Sequence, residues 1–214
     1  MEMFERDTQT YIDDYLSGEI GEKVFLQNSR PWSNYQQDYR PLIEFAREQD
    51  LDVIAANVPR RYAAEINKAG LNALDSLEVH EKKLIASKHV ILDDEYKERF
   101  IATLKKNLAH STAMSAGKEM NFELLYAAQC LKDDTMAESI LEQFSKDSSK
   151  IIVHYNGDFH SRKHLGTAQK LKLLDLQLKI AVISPVYVDR DFQFTEDDLL
   201  EGDFLILLRE PEKE

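Results

Sequence analysis

Residues 151–166 read Ile-Ile-Val-His-Tyr-Asn-Gly-Asp-Phe-His-Ser-Arg-Lys-His-Leu-Gly. The β-branched run 151–153 predicts a buried strand, and Asn156-Gly157 predicts the turn that ends it. Just past that turn stand His160, Arg162, Lys163 and His164. In an open α/β sheet the crevice at the carboxyl ends of the strands is where ligands sit. The stretch therefore predicts both a strand of the sheet and one wall of a site, with Gly157 as its structural turn.

Working outward, the pattern alternates strand and helix. Downstream, a short helix over about 166–175 leads to strands over 178–188, interrupted at Pro185, and 204–208. Upstream, Ser148-Ser149 separates the stretch from a long helix over about 118–145. Its apolar stripe runs through Leu124, Ala128, Leu131, Met136, Ile140 and Phe144. Before it, Asp93 or Asp94 caps a helix reaching about Leu108, and residues 71–115 have little β character beyond 89–92.

At the front of the chain, residues 1–4 read as a strand, followed by a helix from Asp7 or Thr8 to Leu16 that Gly18 closes. A short helix over about 19–27 precedes the aromatic loop 28–41. A helix over 41–49 then turns Leu42, Phe45 and Ala46 inward, a strand covers 51–58, and a helix covers 60–68. A βα rhythm of this kind predicts an α/β fold with a mostly parallel sheet flanked by helices. The helical block 71–145 reads as a subdomain inserted into a sheet domain built from 1–70 and 146–214, with a cleft at the junction.

Composition narrows the function. The chain has 214 residues, 43% hydrophobic, with a net charge of −12, so it lacks the basic footprint of a general nucleic-acid binder. The one cysteine, Cys130, forms no internal disulfide and reads as a small buried residue. No apolar run approaches the ~18 residues of a membrane span. Met1-Glu2-Met3-Phe4 looks like the interior of a strand, which leads us to expect that the natural beginning lies upstream. Gly-x-Gly-x-x-Gly, Walker, Gly-x-Ser-x-Gly and Cys-x-x-Cys motifs are all missing from the sequence, so nucleotide binding, serine hydrolysis and thiol redox chemistry have no support.

Several residues carry candidate chemistry, each beside a plain structural reading. His160 can ligate a metal or haem iron, or bond a carboxylate; otherwise it is a loop histidine in solvent. His160 and His164 have the spacing of a helical zinc pair, but the glycines at 157 and 166 and the lack of a His-Glu-x-x-His pattern weaken it. Arg162 and Lys163 suit anions, or simply decorate a loop. Glu2, among apolar neighbours, needs a partner if buried, so it is a candidate metal ligand or acid–base group. Tyr35 and Tyr39, near Trp32, are either packing aromatics or sources of a tyrosinate for ferric haem. Asp133 and Asp134, near Gln129, either hold a buried polar site or lie on a solvated helix face.

Three blocks carry a resemblance: Met1-Glu2-Met3-Phe4-Glu5-Arg6-Asp7-Thr8-Gln9, Ala55-Ala56-Asn57-Val58-Pro59-Arg60, and Ala128-Gln129-Cys130-Leu131-Lys132-Asp133-Asp134-Thr135-Met136-Ala137. Followed in order by Gly157-Asp158-Phe159-His160, they make the chain resemble the ChaN-type haem-binding proteins of the TIKI superfamily. The resemblance covers nearly the whole chain. It implies a bacterial envelope lipoprotein linked to iron acquisition, its lipid anchor upstream of this chain. It also implies haem held between two subunits, with a tyrosine on the iron and a histidine near the propionates. The superfamily's pattern is two Gly-x-x-His motifs and a glutamate. Gly157 and His160 match the second motif, and Glu2 matches the glutamate; the first motif would precede Glu2. On this footing His160 meets the haem, Arg162 or Lys163 neutralises propionates, and Tyr35 and Tyr39 are iron-ligand candidates from the aromatic loop. The resemblance favours a binding protein over an enzyme. The rival reading is a metal-dependent hydrolase of the superfamily, in which Glu2 and His160 hold a divalent metal that activates water. A third is a drifted module that serves only in assembly.

Overall fold

A computed structural model describes residues 1–109, 120–188 and 193–209. Helices α1 (Gln9–Leu16), α2 (Glu22–Ser29) and α3 (Arg40–Glu48) wrap the first core cluster. Its buried members include Phe4, Ile12, Tyr15, Phe25, Tyr35, Ile43 and Val53. Gly18 takes the left-handed conformation (φ 83°) that ends α1, as its position predicted. In α3 the inward residues are Ile43 and Ala46, whereas Phe45 is 56% exposed. The helix begins one residue early, at Arg40, running straight out of a π-helical turn over Tyr35–Tyr39. Packing against the first core cluster puts Ile43, not Phe45, inside.

Helix α4 (Arg60–Ala69) is followed by the short α5 (Val79–Lys82) and by α6 (Glu95–Ala109), whose first amides Asp94 caps. The longest helix, α7 (Phe122–Lys146), starts at Asn121, whose side-chain oxygen accepts from the amides of Glu123 (3.1 Å) and Leu124 (3.2 Å). It was expected from about 118; 118 and 119 lie outside the described residues. It packs on α4 and on α8 (Gly166–Leu174), so burial encircles its middle turns. Leu131 and Met136 are almost wholly buried, each contributing about 1.5–3 kcal/mol relative to exposure. The Asp133 and Asp134 side chains lie on this same buried stretch, not on a solvated face.

Strands β1 (Ile183–Val188) and β2 (Phe204–Arg209) form a parallel pair in the register Ile183–Phe204 through Val188–Arg209. The fold is thus α/β, helix-rich, with a small parallel sheet. Other predicted strands are extended without a regular ladder. Residues 1–6 and 51–58 lie side by side through a parallel bridge at Glu5–Asn57, with Asn57 N donating to Phe4 O (3.0 Å) and Arg6 N to Asn57 O (2.8 Å). The stretch 151–157 is extended too, but not the buried strand its β-branched residues predicted. Glu2 N donates to Tyr155 O (2.9 Å), a single bond where a ladder needs a series, and Ile151 is 91% and Val153 66% exposed. Residues 89–92 likewise form no strand. Side-chain type favours extension, but pairing needs a neighbour in register.

Candidate functional site

Three extended or helical segments meet at one buried polar cluster. Glu2 comes from the opening segment, Asp133 from the middle of α7, and His160 from the turn after 151–157. The Asp133 side chain is fully buried, and Glu2 and His160 are nearly so. His160 Nδ1 lies 2.7 Å from Asp133 Oδ1, and His160 Nε2 lies 3.3 Å from Glu2 Oε1. The Gly157 amide donates to Glu2 Oε2 (2.6 Å). Two carboxylates therefore flank one imidazole, one at each nitrogen.

The electrostatics follow from that sandwich. Burial alone would lower the His160 pKa, but the charge and hydrogen bond of Asp133, then those of Glu2, push it up to about 10. Burial alone would raise Glu2, yet the hydrogen bond and charge of His160, with the Gly157 amide, hold it down at about 2. At neutral pH the centre is an imidazolium between carboxylates.

The second ring of contacts holds Asp133. Thr167 Oγ1 donates to Asp133 Oδ1 (2.8 Å), and Tyr96 OH donates to Asp133 Oδ2 (2.8 Å). Gln129 Nε2 donates to Tyr96 OH (3.0 Å). Neither Tyr96 nor Thr167 stands out in the sequence. Tyr96 sits on the apolar stripe of α6 and packs on Tyr126 and Phe159, and only its hydroxyl partner reveals the role.

The glycine that the backbone requires is Gly166, not Gly157. Gly157 has φ −58°, open to any residue, and a β-carbon there would meet Glu2 Oε2 at an ordinary 3.4 Å. Its amide, not its missing side chain, serves the site. Gly166 has φ +54°, and a β-carbon there would meet the His160 carbonyl oxygen at 2.6 Å.

The other predicted residues fall in different places. Lys163 and His164 are both left-handed (φ 59° and 58°), so the 160–164 segment is no regular helix and the His160/His164 pair does not form. Instead His164 Nε2 pairs with Asp203 Oδ2 (3.0 Å). Arg162 Nε stands 2.9 Å from Glu201 Oε2 and 2.5 Å from Asp158 Oδ2, charge contacts in which Nε makes no directed hydrogen bond. Its Nη2 donates to Pro185 O (3.2 Å). Lys163 Nζ lies 3.8 Å from both Glu95 and Glu201. These two cations thus pair with acids of their own and tie the turn to β1 and the 201–203 turn.

Tyr35 is buried against Phe25, its hydroxyl without a partner among the described residues, and burial raises its pKa, holding the phenol protonated. Tyr39 is half-buried and edge-on to Trp32 (5.5 Å); burial, then the Glu2 charge, raises its pKa as well. Tyr39 is therefore the one of the pair that senses the Glu2 carboxylate. Cys130 is buried, as predicted, and burial pushes its thiol up to about 12. His154 is half-buried with Nε2 unpartnered among the described residues, and burial lowers its pKa to about 3, so it is neutral. Among the described residues, no three His, Cys, Asp or Glu side chains group as a metal site.

The cluster lies within an α/β architecture, and the comparisons give that architecture a family. Residues 1–171 match the model of the "Haem-binding uptake, Tiki superfamily, ChaN" family, so the chain belongs to that family. A solved structure described as "Cofacial heme binding to ChaN of Campylobacter jejuni" superposes with a TM-score of 0.60. It is 17% identical, covering 95% of this chain and 70% of that one, a likeness of fold. No curated protein matches the chain.

Proposed function

We propose that this chain is a haem-binding protein of the bacterial cell envelope, lipid-anchored on the periplasmic side, that handles haem during iron uptake. One observation carries the reading: the region matching the family, residues 1–171, contains every member of the buried Glu2–His160–Asp133 cluster. Haem, when bound, supplies an iron that takes an axial ligand and two propionates that seek cationic donors.

The residues fit those demands in part. His160 is a charged donor whose Nε2 edge faces a carboxylate, so it suits a propionate that takes over the Glu2 contact. Of the two candidate tyrosines Tyr39 is the less enclosed, half-buried beside Trp32, and to serve the iron it must lose its proton against both burial and the Glu2 charge. Tyr35 does not fit, because its phenol is enclosed and held protonated. Arg162 and Lys163 contribute only if they exchange their present acid partners. A second copy of the chain is the natural partner for an open haem face, and light scattering with and without haemin tests it.

The decisive measurement is haemin titration followed by absorbance. A saturable Soret shift is expected, weakened at least about 10-fold in His160→Ala. Unshifted haemin spectra with the wild-type protein would refute the reading. Fractionation of the producing cells, and growth on haemin as iron source, test the envelope and uptake parts.

A further inference from the structure

We propose that Asp133 is a positioning residue for His160. With Tyr96, Thr167 and Gln129 it forms a cradle that fixes the imidazole so that only the Nε2 edge meets an incoming ligand. The inference rests on the reading that His160 contacts the ligand.

The direction of every bond in the cradle is determined. Gln129 Nε2 donates to Tyr96 OH (3.0 Å), so the tyrosine proton points on to Asp133 Oδ2 (2.8 Å). Thr167 adds its hydroxyl proton to Asp133 Oδ1 (2.8 Å). A carboxylate only accepts, so the 2.7 Å contact from His160 Nδ1 to the same Oδ1 requires a proton on Nδ1. Three donors converge on one fully buried carboxylate, and each bond is charge-assisted.

Two further contacts remove the ring's remaining freedom. Gln129 Nε2 lies 3.3 Å from both ring nitrogens, which places the amide over the imidazole face. Beside the His160 backbone, Gly166 leaves space that a β-carbon would fill at 2.6 Å from the His160 carbonyl oxygen. The Nδ1 side is therefore occupied, one face is covered and the backbone is wedged. Only the Nε2 contact with Glu2, at 3.3 Å, is long enough to be traded for another partner. Carboxylate–histidine pairs of this type orient an imidazole and fix which nitrogen is presented.

The test is long-range 1H–15N NMR of histidine-labelled full chain at pH 7, beside haemin titration and far-UV circular dichroism. Wild type is expected to show His160 Nδ1 as a protonated nitrogen. In Asp133→Asn that signal moves toward the range of an imidazole exchanging between its two neutral forms, and haemin affinity falls roughly 10–100-fold. An unchanged Nδ1 signal in folded Asp133→Asn overturns the proposal. Should that variant not fold, Tyr96→Phe removes one donor from the carboxylate, together with the acceptor of Gln129 Nε2. A shifted Nδ1 signal with wild-type circular dichroism supports the proposal, and an unshifted one overturns it. A shifted signal in a protein whose wild type binds no haemin leaves Asp133 as the positioning residue and removes the haem reading instead.

Discussion

Replacing Gly166 with alanine tests how the site is wedged into the fold. Residue 166 opens α8 at φ +54°, where an L side chain costs about 1–2 kcal/mol. The added carbon would also stand 2.6 Å from the His160 carbonyl oxygen, 3.0 Å from its carbon and 3.0 Å from Tyr96 OH. Two of those atoms are backbone, so the His160 turn must move, at roughly 1–3 kcal/mol. The total is about 3 kcal/mol, which in a chain of this size lowers Tm by roughly 6–12 °C. Because the atoms that yield belong to His160 and Tyr96, haemin affinity should fall with Tm. Gly157→Ala is the control, since residue 157 has φ −58° and the new carbon makes an ordinary 3.4 Å contact; a loss under about 1 kcal/mol is expected. Thermal melts by circular dichroism read both. A Gly166→Ala protein melting within about 2 °C of wild type would refute the wedge, as would a larger loss in Gly157→Ala.

The raised His160 pKa predicts alkaline sensitivity. Its stabilisation is complete below the unfolded value near 6.5 and is lost as pH rises through about 10, so urea melts should weaken between pH 7 and 10, a fall missing from His160→Gln. For Glu2, held at about 2, the sign is opposite: its contribution is present above about 4.5 and disappears as pH falls toward 2, read as an acid limb that Glu2→Gln flattens. The buried Lys170–Asp134 pair (3.1 Å) should cost about 3–5 kcal/mol when Lys170→Met strands the acid, with part regained in Lys170→Met/Asp134→Leu; equal stability of single and double variants would contradict this. Ile43→Ala should cost about 2–5 kcal/mol and Phe45→Ala under about 1, because only Ile43 faces the core; the reverse order in chemical denaturation would overturn the corrected phase of α3.

Much of this was legible in the chain itself. Local rules place Gly18 after α1, Asp94 before α6 and the long periodic stripe of α7, because caps and 3.6-residue spacing act within a few residues. Glu2 and His160 were also legible: a carboxylate among apolar neighbours and a histidine just past a turn each demand a partner. The failures share a cause. The runs 151–153 and 89–92 have the side chains of strands, but whether a strand forms depends on a neighbour supplied from elsewhere. The apolar residues of α3 fit two helical phases, and packing against the first core cluster chose between them.

What the sequence by itself determined is the list of elements and the presence of titratable groups that burial would force to pair. Only the tertiary structure decided the pairings. It set Asp133, Tyr96 and Thr167, from three helices, around one imidazole, and it spent Arg162, Lys163 and His164 on Asp158, Glu201 and Asp203. It also moved the need for glycine from the motif position 157 to 166. Hydrogen bonds and steric contact act over about 3 Å in space, while these partners, Arg162 and Asp158 excepted, lie tens of residues from one another in the chain, so no local pattern encodes them.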